Sequence, residues 1–159
     1  MMRVIGHAER ALSESVPAEP DEVRDYCIDL CHITEVAPSG GIRRIDRRGD
    51  AVVPVNSWDA EDLSYRVRDG VMIGPVVFPL RYTVRMRVPV AGAVTTETNP
   101  FPLVRLESVI AFEPLESGTR LKEHLRISAP RPVLSTLVSR TVAAHTYLLA
   151  GVRRHFEGR

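Results

Sequence analysis

The stretch PRPVLSTLVSRTVAAHTYLLAGVRRHF, residues 130–156, decides the fold. Pro130-Arg131-Pro132 places proline where a helix can open. Leu134, Leu137, Val138, Thr141, Val142, His145, Leu148, Leu149, Val152 and Phe156 then fall on one side of a helical wheel. Arg140, Ala143, Tyr147, Ala150 and Arg154 fall on the other side. Gly151 weakens such a helix by ~1 kcal/mol relative to alanine but does not end it. The pattern predicts one long amphipathic helix over residues 132–157, whose apolar stripe needs a surface to cover.

That surface lies upstream. In residues 78–88, Phe78, Leu80, Tyr82, Val84, Met86 and Val88 alternate with Arg81, Thr83, Arg85 and Arg87. A period of two with one wet and one apolar face predicts an antiparallel sheet strand. Residues 63–73 alternate less cleanly, and Gly74-Pro75 reads as the turn between the two runs. Val104, Leu106, Ser108, Ile110 and Phe112 form the inner parity of another strand. Glu116-Ser117-Gly118 turns the chain into Leu121, Glu123, Leu125 and Ile127, opposed by Arg120, Lys122, His124 and Arg126. Pro54 and Asn56-Ser57-Trp58-Asp59 interrupt any long strand in the ambiguous region 42–62.

Before the sheet region, residues 3–16 read as a first strand with Val4, Leu12 and Val16 in one parity. Residues 17–23 then look like a helix start, with prolines at the entrance and Asp21 and Glu22 at the positive end of the dipole. Val23, Tyr26, Cys27 and Leu30 make its buried stripe. Residues 31–36 are read as a second short helix, stopped by Pro38-Ser39-Gly40-Gly41. The order is strand, two short helices, further antiparallel strands, then one long helix. A sheet with one apolar face must be covered, and only the last helix is long enough to do it. The expectation is therefore an α+β chain in which about seven strands curve around the terminal helix.

Three segments resemble the START and birch-pollen-allergen superfamily, also called SRPBCC, with its helix-grip fold. VPAEPDEVRDYCIDL, residues 16–30, is similar to that family's step from first strand to first helix, with Arg24 where tryptophan is common. GTRLKEHL, residues 118–125, is similar to its last hairpin and strand, and residues 130–156 to the terminal helix of the polyketide cyclase/dehydrase-like branch. The resemblance implies a cavity between the concave sheet and the terminal helix that holds a hydrophobic small molecule. A shared fold hosts many activities, so the activity must come from the site.

Length and composition bound the rest. A chain of 159 residues has the size of one domain, expected to span 1–159. With 21 basic against 20 acidic side chains the net charge is +1, which argues against a nucleic-acid binder. Arg43, Arg44, Arg47 and Arg48, interleaved with Asp46 and Asp50, then read as a solvated face together with Arg81, Arg85 and Arg87. The longest mostly apolar run, 71–80, is about half the ~20 residues of a membrane-spanning helix. Two cysteines and no leader-like N-terminus point to a reducing, cytoplasmic setting. Cys27, Cys31 and His32 lack the further ligands zinc normally takes, so no metal and no cofactor are expected, and Cys27 and Cys31 read as residues that pack the first helix.

Two polar residues stand on apolar faces. His145 sits mid-stripe on the last helix, and Glu123 points inward from the last strand. Each is costly to bury unless it finds a partner. The strand-to-helix return places them at comparable depth, and the expectation is a Glu123–His145 pair in a wet cavity, orienting a ligand carbonyl or hydroxyl. In an enzyme the histidine would act as acid or base and the glutamate as its orienter. The bland alternative is a satisfied core histidine with Glu123 at a solvated rim. Tyr65, Phe78, Tyr82 and Met86 share the inner face, where they line a pocket or fill a core. Leu125 from the last strand, and Leu137 and Thr141 from the helix, complete the expected lining. Trp58 either covers the mouth or pins a loop. The function expected is binding or transport of a hydrophobic or amphipathic small molecule. The rivals are a polyketide aromatase/cyclase-type enzyme using the same cavity and a protein-interaction module with a filled interior.

Overall fold

The computed structural model describes residues 4–28, 42–44, 60–73, 75–89 and 91–158. For 42–44, 60–73 and 76–81 the description is of backbone and register. The elements are β1 (Ile5–Val16), α1 (Pro20–Ile28), β2 (Ile42–Arg44), β3 (Ala60–Ile73), β4 (Val76–Pro89), β5 (Val94–Thr98), β6 (Arg105–Leu115), β7 (Gly118–Pro130) and α2 (Arg131–Glu157). The seven strands form one antiparallel sheet in the order β1-β7-β6-β5-β4-β3-β2. This is the expected helix-grip arrangement, with α2 lying against β1 and β7. The expected second short helix, residues 31–36, lies outside the described residues, as do Trp58, Arg47 and Arg48.

The strand alternation read from the sequence is present on β7. Thr119, Leu121, Glu123, Leu125, Ile127 and Ala129 are buried, while Arg120, Lys122, His124 and Arg126 are exposed. On β4, Met86 and Val88 are buried while Arg85 and Arg87 are exposed. The exposed face is a lattice of ion pairs: Lys122 meets Glu113 at 2.7 Å and Arg105 meets Glu107 at 2.7 Å. Such pairs on a solvated face contribute at most about 1 kcal/mol each. The first strand begins one residue later than Val4, which lies outside it and is 66% exposed. The Val4 carbonyl accepts from the Arg131 N–H at 2.9 Å, satisfying one of the orphan donors at the start of α2.

Two glycines make the close approaches possible. Gly118 closes the β6–β7 hairpin with φ +113°, and a Cβ there would stand 2.4 Å from the Val16 carbonyl oxygen. Both the backbone conformation and the space demand glycine. A Cβ on Gly6 would stand 2.7 Å from Leu134 Cδ2, so α2 packs closely over β1 here and a larger residue would require the Leu134 side chain to shift.

The main apolar cluster gathers Val16, Val23, Tyr26, Leu121, Leu149, Val152 and Phe156. It joins α1, the hairpin end of the sheet and the last turns of α2. Tyr26 stacks on His155 with ring centres 4.1 Å apart and meets Phe156 edge-on at 5.4 Å. Arg24, the departure from the family pattern, reaches from α1 to the β4–β5 connection. Its guanidinium donates to the carbonyl oxygens of Pro89 and, at 3.1 Å, Gly92. An arginine suits this place because it satisfies two carbonyls at once. A second cluster, Met86, Val88 and Val94, sits further across the sheet, with Phe112 packed against both.

Candidate functional site

The inner face of the sheet is built in rows of directly opposed residues. One row runs Leu12, Glu123, Ile110 and Val94 across β1, β7, β6 and β5. The next runs Leu125, Ser108, Thr96 and Met86 across β7, β6, β5 and β4. Opposed side chains share a face, so Glu123 and Ser108 stand diagonally next to each other among apolar neighbours.

Glu123 is 3% exposed. Ser108 Oγ donates to its Oε2 at 2.6 Å, and His145 Nδ1 lies 2.8 Å from its Oε1. The expected Glu123–His145 pair is therefore formed. The rim position weighed for Glu123 does not hold, because it is the histidine, with 27% of its side chain accessible, that reaches open space. Burial alone would push the Glu123 carboxyl up. The hydrogen bond and charge of His145, with the Ser108 hydroxyl, outweigh it and leave the carboxyl below its ordinary value. Glu123 is thus a carboxylate, which only accepts hydrogen bonds. The proton in the His145 bond then belongs to Nδ1, so the tautomer is fixed by the partner it faces. Nε2 has no hydrogen-bond partner among the described residues.

Cys27 of α1 borders this arrangement. Burial, and secondarily the Glu123 charge, push its thiol up to about 12. It packs against the main apolar cluster, as read from the sequence. Such a thiol is neutral and unreactive at physiological pH.

The other expected lining residues distribute unevenly. Leu137, Thr141 and His145 follow one another at four-residue intervals on the inward stripe of α2, with Thr141 buried and Leu137 half-buried. Leu125 is 1% exposed on β7, beside Ser108. Met86 is 2% exposed and packed with Val88 and Val94. Tyr82 is half-buried on β4. Register sets Tyr65 opposite Val84 and Phe78 opposite Val71; the side chains of Tyr65 and Phe78 lie outside the description. Ser108 is a site residue that the sequence alone does not single out. Its signal was a hydroxyl in the inner parity of a strand, diagonal to an inward glutamate. An open cleft of about 520 Å³ is lined by Ile5 of β1, residues 99–104 of the β5–β6 connection and Arg105 of β6.

No family model matches the sequence, and no curated protein matches it either. Solved structures do. Protein TTHA0849 of Thermus thermophilus is similar over 95% of this chain and 98% of its own, with 18% identity and a TM-score of 0.69. A START superfamily protein from Mycobacterium smegmatis matches over 94% and 99%, with 17% identity and a TM-score of 0.65. The Zhui aromatase/cyclase from Streptomyces sp. R1128 matches over 94% of each chain, with 15% identity and a TM-score of 0.62. At these identities the likeness concerns the fold. The chain has the helix-grip fold of the START and birch-pollen-allergen superfamily, as the sequence resemblance implies.

Proposed function

We propose that this helix-grip chain binds a hydrophobic or amphipathic small molecule between the inner sheet face and α2, with His145 as the polar group that orients it. One observation carries the reading. The inward stripe of α2 is incompletely covered over its first half, where Leu134, Leu137, Val142 and His145 are all half-buried. Apolar groups left partly uncovered on an inward face are a binding surface waiting for a guest, and each Å² that a guest covers is worth ~25 cal/mol. A few apolar walls with one fixed polar group is the usual composition of a small-molecule site. No described helix is long and apolar enough to cross a membrane.

Native mass spectrometry of the freshly purified protein tests the reading. The expected result is a retained or added apolar guest, one per chain, that is lost in Thr141→Trp, whose larger side chain fills the space. A protein that holds no guest and takes up no added 2-methoxynaphthalene overturns it.

A second reading, a cyclisation enzyme of the aromatase/cyclase type, is favoured by the Glu123–His145 geometry. A carboxylate that fixes the imidazole tautomer and leaves Nε2 open is the arrangement of a positioned acid or base. Ring closure of a poly-β-ketone thioester, accelerated by the wild type and not by His145→Ala, would select it over a carrier.

A further inference from the structure

The polar head of the guest can be narrowed further, on the premise that the cavity reading holds. Both oxygens of Glu123 are taken within the chain, Oε1 by His145 and Oε2 by Ser108. The Ser108 hydrogen points at the carboxylate, and so does the hydrogen on His145 Nδ1. Glu123 and Ser108 are 3% and 4% exposed, so burial keeps both from a guest, and the hydroxyl hydrogen is already given to the carboxylate. What the arrangement presents is the opposite edge of the imidazole, the Nε2 side.

In the uncharged ring Nε2 accepts a hydrogen bond; in the charged ring it donates one. A ketone or ether oxygen only accepts, so it satisfies one of these states and fails the other. A carboxylate or sulfonate has the same limitation. It also brings a negative charge to within one imidazole ring of buried Glu123, where the low dielectric makes like charges costly. A neutral hydroxyl donates and accepts, so it is satisfied in both states. We infer that the head group selected here is a neutral hydroxyl (a phenol, enol or alcohol) on an apolar body, recognised by His145 Nε2.

Three probes with the same naphthalene body separate the possibilities by isothermal titration: 2-naphthol, 2-methoxynaphthalene and 2-naphthoate. In the wild type, 2-naphthol should bind about tenfold more tightly than 2-methoxynaphthalene, the size of one good buried hydrogen bond, with 2-naphthoate weakest. In His145→Ala that preference should fall below about threefold. His145→Phe, which keeps a ring but no nitrogen, should behave in the same way. A wild type without the preference, a preference that survives both substitutions, or 2-naphthoate binding as tightly as 2-naphthol overturns the inference and leaves the cavity reading standing. If none of the three binds, the cavity reading fails and this inference falls with it.

Discussion

The two halves of α2 share one apolar stripe and meet different fates. Toward its C-terminus, Leu149, Val152 and Phe156 are each 6% exposed and locked against α1 and the β6–β7 hairpin end, while Leu148 on the same stripe is half-buried. Toward its N-terminus, Val138 and Thr141 are buried, but Leu134, Leu137, Val142 and His145 stay half-buried on the same stripe. The difference lies in what faces the helix rather than in the helix itself. Tyr26 and Val23 of α1 fill the space opposite the last turns. Glu123, a buried carboxylate, stands opposite the middle. One end behaves as a clamp, and the stretch beyond His145 is left with surface to offer.

The sharpest way to break this contrast is to truncate one side chain from each half. Phe156→Ala removes a packed ring from the clamp and should lower stability by about 3–5 kcal/mol. Leu137→Ala removes a side chain that is already half uncovered and should cost about 1 kcal/mol. Urea unfolding of both variants measures the gap. Equal costs would mean that α2 is packed uniformly, and the room proposed for a guest would not exist.

How much of this was legible in the sequence follows the same division. The stripe of α2 and the alternation of β7 were readable because each residue there obeys one period, and one face of each element is buried. Short β5 was not singled out: Val94-Thr95-Thr96-Glu97-Thr98 has a single large apolar residue, so its pairing with β4 and β6 carries the information, not its own pattern. The Glu123–His145 pair was legible because two costly groups on apolar faces invite pairing. Ser108 was not, because a serine costs little to bury and its role appears only once β6 and β7 are in register. Nor could the sequence tell which partner reached open space, since that depends on α1 covering one end and not the other.

The seam between the halves yields the next effect in size. Glu123→Gln keeps the shape and removes the charge, and should cost about 1.5–3 kcal/mol near neutral pH, the range for hydrogen bonds to a charged group. The folded carboxyl lies below its ordinary value of 4.5. The stability it contributes is therefore present above that value and is lost as pH falls through the folded one. The wild type and Glu123→Gln should converge in acid, and their difference should be complete from pH 4.5 upward. Parallel curves across the acid limb would show that the carboxylate contributes nothing specific to the folded state, and that the two halves of α2 are not divided by a charged group.

The smallest effect comes from the clamp side of the same seam. Cys27 has a folded value raised from 9.0 to about 12 by burial, with the Glu123 charge adding to it. Between those values the unfolded thiol has lost its proton and the folded one has kept it. Stability from this group is thus complete below pH 9.0 and declines as pH rises toward about 12. At neutral pH Cys27→Ala should cost about 1 kcal/mol or less, because one sulfur leaves a small void. The difference between the two proteins should shrink and then change sign as the solution turns alkaline toward pH 12, with the titration of the other groups largely cancelling in the comparison. A constant difference would mean that water reaches the thiol, and the clamp would then be as open as the half of α2 it is meant to contrast with.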